Sequence, residues 1–308
     1  MSRLRQALTD YLSIRRALGF KLANTERLLG QFITYLEQRR AEAVTVEQAV
    51  AWATLPEAAS APWRAMRLAV VRGFAVHLRT IDASTEVPPP GLLPDNRTHR
   101  VTPFLYSDTD IRALIGAAAL LPRRVNAATY PPLVGLLAVT GMRVGEAIAL
   151  DTGDFDGSLG VVTVREGKFG KSRILPLHPT TTAGLGRYLQ ARDRLCPAPA
   201  TKALFISSVG QRMLYNAVQH TFSRIARQAG LAARSACRPR IHDLRHSFAV
   251  ATLLDWYRRS EDVPALLPRL STYLGHADPR HTFWYLSAAP ELLALAGDRL
   301  DAHLRGAT

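Results

Sequence analysis

The segment Leu274-Gly-His-Ala-Asp-Pro-Arg-His-Thr-Phe-Trp-Tyr285 decides the interpretation of this chain. Gly275 suits a helix C-terminus, whereas an aspartate followed by a proline suits the N-cap and first position of a new helix. His276 is therefore predicted in a short turn, with Tyr285 about two turns into the next helix. Such a turn and helix can bring an imidazole and a phenol to one point. An ordinary packed tyrosine is the simpler alternative for Tyr285 taken alone.

Arg143 lies upstream in an apolar context that predicts one long helical region from Pro131 to Leu150. A guanidinium in such surroundings needs a partner, and Glu146 is three residues on, which predicts an ion pair along one helix face. A planar, permanently charged guanidinium is well suited to binding a phosphodiester. The alternative is a surface ion pair without further function.

His242 and Arg245 are also three residues apart, which predicts that they share a helix face. Together they can present an imidazole, suited to proton transfer near neutral pH, and a guanidinium to the same phosphate. His246 follows directly. A zinc-protease helix has the pattern His-Glu-x-x-His, but here Asp243 stands in the place of the glutamate. The sequence therefore favours no metal site here.

A β-hairpin is predicted from two strand-like runs, Val161–Glu166 and Lys171–Leu177, around the turn Gly167-Lys-Phe-Gly170. Lys168 lies in this turn, where it could donate a proton to a leaving oxygen. A solvated turn lysine is the alternative. Only 4 of the 39 Lys and Arg residues are lysines, and two of them, Lys168 and Lys171, lie here.

The whole chain is globular in composition and strongly basic, with a net charge of +14 over 308 residues. Such an excess is typical of proteins that bind a polyanion, most often nucleic acid. Two cysteines without metal-ligand spacing, the lack of a signal-like start and the lack of a long apolar run predict a cytoplasmic protein.

Two domains are predicted. Residues 1–85 are expected to be helical, with a buried stripe formed by Leu28, Leu29, Phe32, Ile33 and Leu36, a second stripe formed by Trp63, Met66, Val70 and Phe74, and a capping box at Thr45. Residues 86–100, which are rich in proline, are expected to form an extended linker. Residues 101–308 form the second domain, in which Ser107 is expected to cap a helix.

Four stretches, in this order, resemble the tyrosine recombinases, or phage integrases: Thr140-Gly-Met-Arg-Val-Gly-Glu-Ala147, Gly167-Lys-Phe-Gly-Lys-Ser-Arg-Ile-Leu-Pro-Leu177, His242-Asp-Leu-Arg-His-Ser-Phe-Ala249 and Leu274-Gly-His…Tyr285. The resemblance spans most of residues 101–308. It implies a mainly α fold, with an N-terminal helical core-binding (SAM-like) domain and an α-rich catalytic domain carrying a small β-hairpin. Where the family often has Gly-Lys-Gly, Phe169 follows Lys168.

The resemblance implies a role for each site residue. Tyr285 would form a 3′-phosphotyrosine, Arg143 and Arg245 would bind the scissile phosphate, and His276 would be a further donor. His242 would assist proton transfer at the tyrosine, and Lys168, or Lys171 in its place, would protonate the leaving 5′-oxygen. Double-stranded DNA, a tetramer of protomers on paired sites, and neither metal nor nucleotide cofactor are implied as well.

Three further expectations stand beside these roles. The leucine-rich segment Ala289–Leu304 is expected to form a final helix that docks either on its own domain or on a neighbouring subunit. A type IB topoisomerase uses similar chemistry and is the alternative enzyme. A DNA-binding regulator that has lost catalysis is the alternative from another class, although none of the residues expected for catalysis is missing.

Overall fold

The computed structural model divides into two compact units, residues 1–100 and 101–308. It describes residues 2–20, 22–55, 57–94, 102–165, 172–234 and 237–276, followed by residues 278, 280–287, 291, 292, 294, 295, 297 and 305, with only the backbone of His281 and Ser287.

The first unit is helical, as predicted. Its helices are α1 (Arg3–Ala17), α2 (Ala23–Gln38), α3 (Val46–Thr54) and α4 (Ala61–Arg79). The predicted capping box is confirmed, because the Thr45 side chain accepts from the Gln48 amide while the Gln48 side chain accepts from the Thr45 amide. The predicted α2 stripe is also confirmed, since Leu28, Phe32 and Leu36 are fully buried.

The predicted stripe on α4 is partly wrong. Phe74 is buried as predicted, and Met66 and Val70 pack partly buried against the core, but Trp63 is 37% exposed. The buried face also carries Leu68, Val71, Ala75 and Leu78. Arg67 of the same helix is also buried: it donates to the Trp52 carbonyl at 2.7 Å, and its guanidinium lies 3.7 Å from the Trp52 ring centroid. A stacked guanidinium can enter an apolar core in this way because the ring face attracts its charge.

The proline-rich segment begins as part of the first unit. The Glu86 amide donates to the Val44 carbonyl at 2.8 Å, and the Glu86 carboxylate accepts from the Val46 amide. Val87 and Leu93 then pack against the helical core. Residues 95–101 lie outside the described residues, so the part of the predicted linker described here is attached to the first unit.

The described residues of the second unit form eight α-helices and a small sheet. They are α5 (Asp108–Ala119), α6 (Arg124–Thr140), α7 (Val144–Ala149), β1 (Phe155–Asp156), β2 (Val161–Val164), β3 (Arg173–Pro176), α8 (Pro179–Leu195), α9 (Tyr215–Gln228), α10 (Asp243–Arg258), α11 (Val263–Leu274) and α12 (Arg280–Phe283). Ser107 caps α5 as predicted. The core includes Leu133, Leu136 and Leu137 of α6. Within the described part of the chain, no helix has the length and apolar character needed to cross a membrane.

The sheet is antiparallel in the order β1-β2-β3. The predicted hairpin is confirmed by the β2–β3 register, in which Val164 pairs with Arg173 and Val161 pairs with Pro176. The short strand β1 was not predicted. The turn that carries Lys168 and Lys171 lies outside the described residues.

The prediction of one long helical region from Pro131 to Leu150 is wrong, because α6 and α7 are separate helices. α6 begins earlier, at Arg124, and ends where Gly141 takes a left-handed conformation (φ 58°). A side chain at Gly141 would start 2.5 Å from the ring of Phe248, so only glycine fits this turn without a shift. The break places Arg143 at the N-cap of α7.

Candidate active site

Three chain segments of the second unit meet around one point: the start of α7, the start of α10 and the turn after α11. Arg143 donates to the Gly275 carbonyl at 2.9 Å, and Arg245 donates to the Leu274 carbonyl at 2.8 Å. The ring centroids of His276 and Tyr285 are 6.2 Å apart. The structure therefore brings together five of the six predicted site residues. Lys168, the sixth, lies outside the described residues.

Arg143 is held from two sides. Its Nη1 donates to Glu146 Oε1 at 2.8 Å, while its backbone amide donates to Glu146 Oε2 at 2.9 Å. The pair was predicted, but its geometry differs from the prediction. Arg143 precedes the helix and Glu146 folds back on it as a cap, rather than the two lying along one helix face. The Arg143 side chain remains 23% exposed, so it can reach a bound anion.

Glu146 also binds Arg173, a residue that the sequence did not single out for the site. Arg173 Nη2 donates to Oε2 at 2.8 Å and Nη1 donates to Oε1 at 3.3 Å. Burial acts to raise the pKa of Glu146, but hydrogen bonds from Arg173 and from the Arg143 amide outweigh it, so this pKa lies below its usual value. The carboxylate is therefore ionised and shared by two guanidiniums.

Arg245 is almost fully buried, at 3% exposure. Its two terminal nitrogens donate to the carbonyls of Gly141 and Leu274, both at 2.8 Å, and it is hydrogen-bonded to the Tyr285 side chain. Burial, and then the charge of Arg143, lowers the pKa of Arg245 to about 10. The group stays protonated at neutral pH, and a cation stands beside the phenol.

The turn after α11 has the predicted conformation. Gly275 is left-handed (φ 70°) and ends the helix, and the His276 amide donates to the Ser271 carbonyl at 2.9 Å. The His276 Nδ1 lies 2.7 Å from the hydroxyl of the buried Thr282. This contact fixes the imidazole orientation through a residue that the sequence did not indicate.

We expect Gly275→Ala to lower the free energy of unfolding by at least about 1–2 kcal/mol, the cost of a left-handed alanine. The added Cβ would also start 2.8 Å from Arg173 Nη1. Urea unfolding measures the effect. Gly145→Ala is the matched control, because Gly145 lies in α7 with open space where a Cβ would be, and equal stability changes in the two variants would contradict the expectation.

Tyr285 lies in a 3-10 turn, Trp284–Ser287, because α12 ends after one turn at Phe283. The prediction of a position two turns into a regular helix is therefore wrong. The side chain is 2% exposed, and its ring lies 5.4 Å from that of His246 and 5.5 Å from that of Trp284 (centroid distances). The nearby cation and imidazoles distinguish Tyr285 from a tyrosine packed only among apolar side chains.

His242 occupies the N-cap position of α10 rather than its interior. The residue is exposed to solvent, yet partial burial of the imidazole, and secondly the charge of Arg245, lowers the pKa of His242. The fully buried Asp243 next to it is paired with Arg240 at 2.8 Å, which anchors the start of the helix. His246 stacks edge-on against His242 at 5.0 Å between ring centroids.

A metal site is not indicated by the described residues, which contain no group of three or more His, Cys, Asp or Glu side chains placed to hold an ion. The paired histidines of α10 contact aromatic rings, with Trp284 and Tyr285 both next to His246. The site is thus a cluster of two arginines, imidazoles and a buried phenol, which is suited to an anionic phosphate ester.

Comparison with known proteins assigns this architecture to a family. The model of the phage integrase family matches residues 107–291. The integrase/recombinase-class protein y4rB of Sinorhizobium fredii (strain NBRC 101917 / NGR234) is 44% identical over 308 residues, which is 98% of each chain. Tyrosine recombinase XerD of Ralstonia nicotianae is 32% identical over 62% of this chain and 58% of its own.

Solved structures show the same fold at low sequence identity. The Tn1549 transposon integrase in complex with transposon right end DNA has a TM-score of 0.64 at 17% identity, covering 98% of this chain and 99% of that one. A lambda integrase tetramer bound to a Holliday junction has a TM-score of 0.53 at 18% identity, covering 92% and 76%. The chain belongs to the phage integrase family, the tyrosine recombinases. It is a site-specific recombinase that cleaves and rejoins DNA.

Proposed function

We propose that Tyr285 is the nucleophile of this recombinase. Its hydroxyl oxygen attacks the scissile phosphorus, a new P–O bond forms to the tyrosine, and the bond to the 5′-oxygen breaks. The product is a 3′-phosphotyrosine and a free 5′-hydroxyl. One phosphodiester replaces another, so the reverse attack by a 5′-hydroxyl rejoins DNA without an added energy source. The observation that carries this assignment is the hydrogen bond between Tyr285 and the buried cation of Arg245.

Arg143 and Arg245 are proposed to bind the non-bridging oxygens of the phosphate, with His276 as a further donor. Negative charge grows on these oxygens during attack, and donors already fixed at that position stabilise it without reorganisation. The carbonyls of Gly141, Leu274 and Gly275 hold both guanidiniums in place. These contacts support a preorganised phosphate site.

Two proton transfers complete the proposed reaction. A phenol with an ordinary pKa near 10 must lose its proton during attack, and His242 is proposed to assist that loss. The leaving 5′-oxygen must gain a proton, which Lys168, or Lys171 in its place, is proposed to donate. Both lysines belong to the turn outside the described residues, so their assignment rests on the sequence motif.

A lowered pKa at His242 predicts the acid side of the pH profile. Since the neutral imidazole is the proton acceptor and its pKa lies below the ordinary 6.5, single-turnover cleavage should persist through pH 6.5 and fall only at lower pH. His242→Gln should slow cleavage by roughly 10²–10⁴-fold and remove this limb of the profile. An unchanged acid limb in the variant would show that another group titrates.

The substrate is proposed to be double-stranded DNA, held by residues 1–85 as a DNA-clamping domain and by the catalytic unit at 101–308. A tetramer on paired sites would carry out strand exchange. The net charge of +14 supports an affinity that comes largely from phosphate contacts and falls steeply with salt. The family relationship supports a cytoplasmic location, and integration, excision or transposition of a mobile element is the proposed setting.

Covalent capture on DNA tests this proposal. The purified protein is incubated with nicked fragments of its own genome, SDS traps covalent adducts, and the attached DNA is sequenced. We expect a single recurrent sequence that then supports recombination between two plasmid copies. Relaxation of any supercoiled plasmid without site preference would instead indicate a topoisomerase, and no adduct at all would indicate a DNA-binding protein without catalysis.

A further inference from the structure

Arg173 is an arginine on the inward side of a strand. Along β3, Leu175 is buried at 1% exposure and Ile174 is 65% exposed. Because side chains alternate across a strand, Arg173 lies on the same face as Leu175, and its side chain is only 14% exposed. Burying a charged guanidinium in this position costs free energy unless it is paired. Its carboxylate partner is Glu146, 27 residues earlier in the chain.

The same guanidinium packs against the turn that precedes His276. A side chain on Gly275 would start 2.8 Å from Arg173 Nη1 and 3.5 Å from Arg143 Nη1. Arg173 therefore fills the space between the Glu146 carboxylate and the Gly275 backbone. Three segments of the proposed site, namely β3, the start of α7 and the turn after α11, meet at this one side chain.

Charge balance gives Arg173 a second effect. Glu146 is the carboxylate that pairs with Arg143 in the described structure, and both of its oxygens also accept hydrogen bonds from Arg173. With Arg173 absent, the whole negative charge would face Arg143 alone and compete with a phosphate for it. With Arg173 present, the two guanidiniums that share Glu146 carry one positive charge more than the carboxylate neutralises. This charge is left for the dianionic state formed when a phenolate attacks a phosphodiester.

We propose that Arg173 is a positioning residue of the recombination reaction. By sharing Glu146, it holds Arg143 against the Gly275 carbonyl and keeps the charge of Arg143 available to the scissile phosphate. This inference rests on the proposed function, because it requires cleavage through a bound phosphate.

The test uses Arg173→Ala, Arg173→Lys and the matched control Ile174→Ala, whose side chain lies on the opposite, exposed face of the same strand. Urea unfolding is measured on each variant. DNA binding and single-turnover cleavage are measured with the DNA sequence recovered by covalent capture. We expect Arg173→Ala to slow cleavage by on the order of 10-fold to 100-fold, the cost of a small misplacement of a stabilising group. Binding should change little, and Arg173→Lys should recover part of the rate.

Two further measurements separate this role from general stability. Glu146→Gln combined with Arg173→Ala should be no slower than the worse single variant, because both act through one contact network. A substrate with sulfur at the 5′-bridging position, whose leaving group needs no proton, should not restore the rate of Arg173→Ala. If Arg173→Ala does not fold, the same comparisons with Arg173→Lys decide the question.

The inference is overturned if folded Arg173→Ala cleaves at the wild-type rate, if the double variant loses rate additively, or if the sulfur substrate restores cleavage. The last result would place Arg173 in support of the leaving-group lysine. If the wild-type protein itself forms no adduct, the proposed function fails, and that outcome is distinct from a wild-type protein that cleaves normally while Arg173 proves dispensable.

Discussion

Tyr285→Phe should abolish the covalent protein–DNA adduct while leaving DNA affinity within about twofold of wild type, because affinity comes mainly from arginine–phosphate contacts. The variant keeps the ring that packs against His246 and Trp284 but loses the only atom able to form the new P–O bond. A nicked substrate whose cleaved end diffuses away accumulates the adduct, and a denaturing gel then detects it.

Tyr273→Phe is the matched control for this variant. Tyr273 lies in α11, only one residue before Leu274, and stacks on Phe248 at 5.7 Å between ring centroids. Burial raises the pKa of Tyr273 and disfavours its phenolate, so its loss should leave adduct formation intact. A Tyr285→Phe protein that still forms the adduct, or a Tyr273→Phe protein that does not, would contradict the assignment.

Arg143→Ala should slow cleavage by roughly 10²–10³-fold, as expected for removal of one donor to the charge that develops at phosphorus. The effect of this substitution on the free energy of unfolding should be small. Glu146 keeps its pairing with Arg173 in the variant, so no buried carboxylate is left without a counterion. Single-turnover cleavage and urea unfolding of the same preparation separate the two effects.

Arg259→Ala serves as the control for Arg143→Ala. Arg259 is 68% exposed at the end of α10 and pairs with Asp255 at 3.0 Å, so it tests the loss of one positive charge without change in the site. Arg245→Ala is the less informative variant, because it would leave the buried carbonyls of Gly141 and Leu274 without a donor and destabilise the fold. Equal cleavage rates for Arg143→Ala and Arg259→Ala would remove Arg143 from the phosphate site.

Local features of the fold could be predicted because their causes are local. The caps at Thr45 and Ser107 and the left-handed end of α11 at Gly275 each depend on residues within one helical turn. The β2–β3 hairpin likewise follows from strand-like runs on either side of a glycine-containing turn.

Other features depend on contacts between distant residues and were missed or wrong. The break between α6 and α7 follows from the left-handed conformation of Gly141, and Phe248 leaves room only for glycine there. The apolar run alone does not indicate this contact. The Glu146–Arg173 pair depends on which face of β3 is buried. The helix α12, which has one turn, and the strand β1, which has two residues, are too short to produce a periodic pattern.

The final leucine-rich segment illustrates the same limit. Leu292 is buried in its own unit, in the cluster that also contains Tyr285. Leu293, Leu300 and Leu304 lie outside the described residues.

Mass spectrometry of the trapped adduct tests the central assignment most directly. Trypsin cleavage after Arg280 and Arg299 releases a peptide of residues 281–299 in which Tyr285 is the only tyrosine, whereas Tyr273 falls in the peptide of residues 270–280. After nuclease digestion, we predict a residual nucleotide on the peptide 281–299, with fragment ions that place it on Tyr285. A nucleotide on the peptide 270–280, or on another residue of 281–299, would contradict the account.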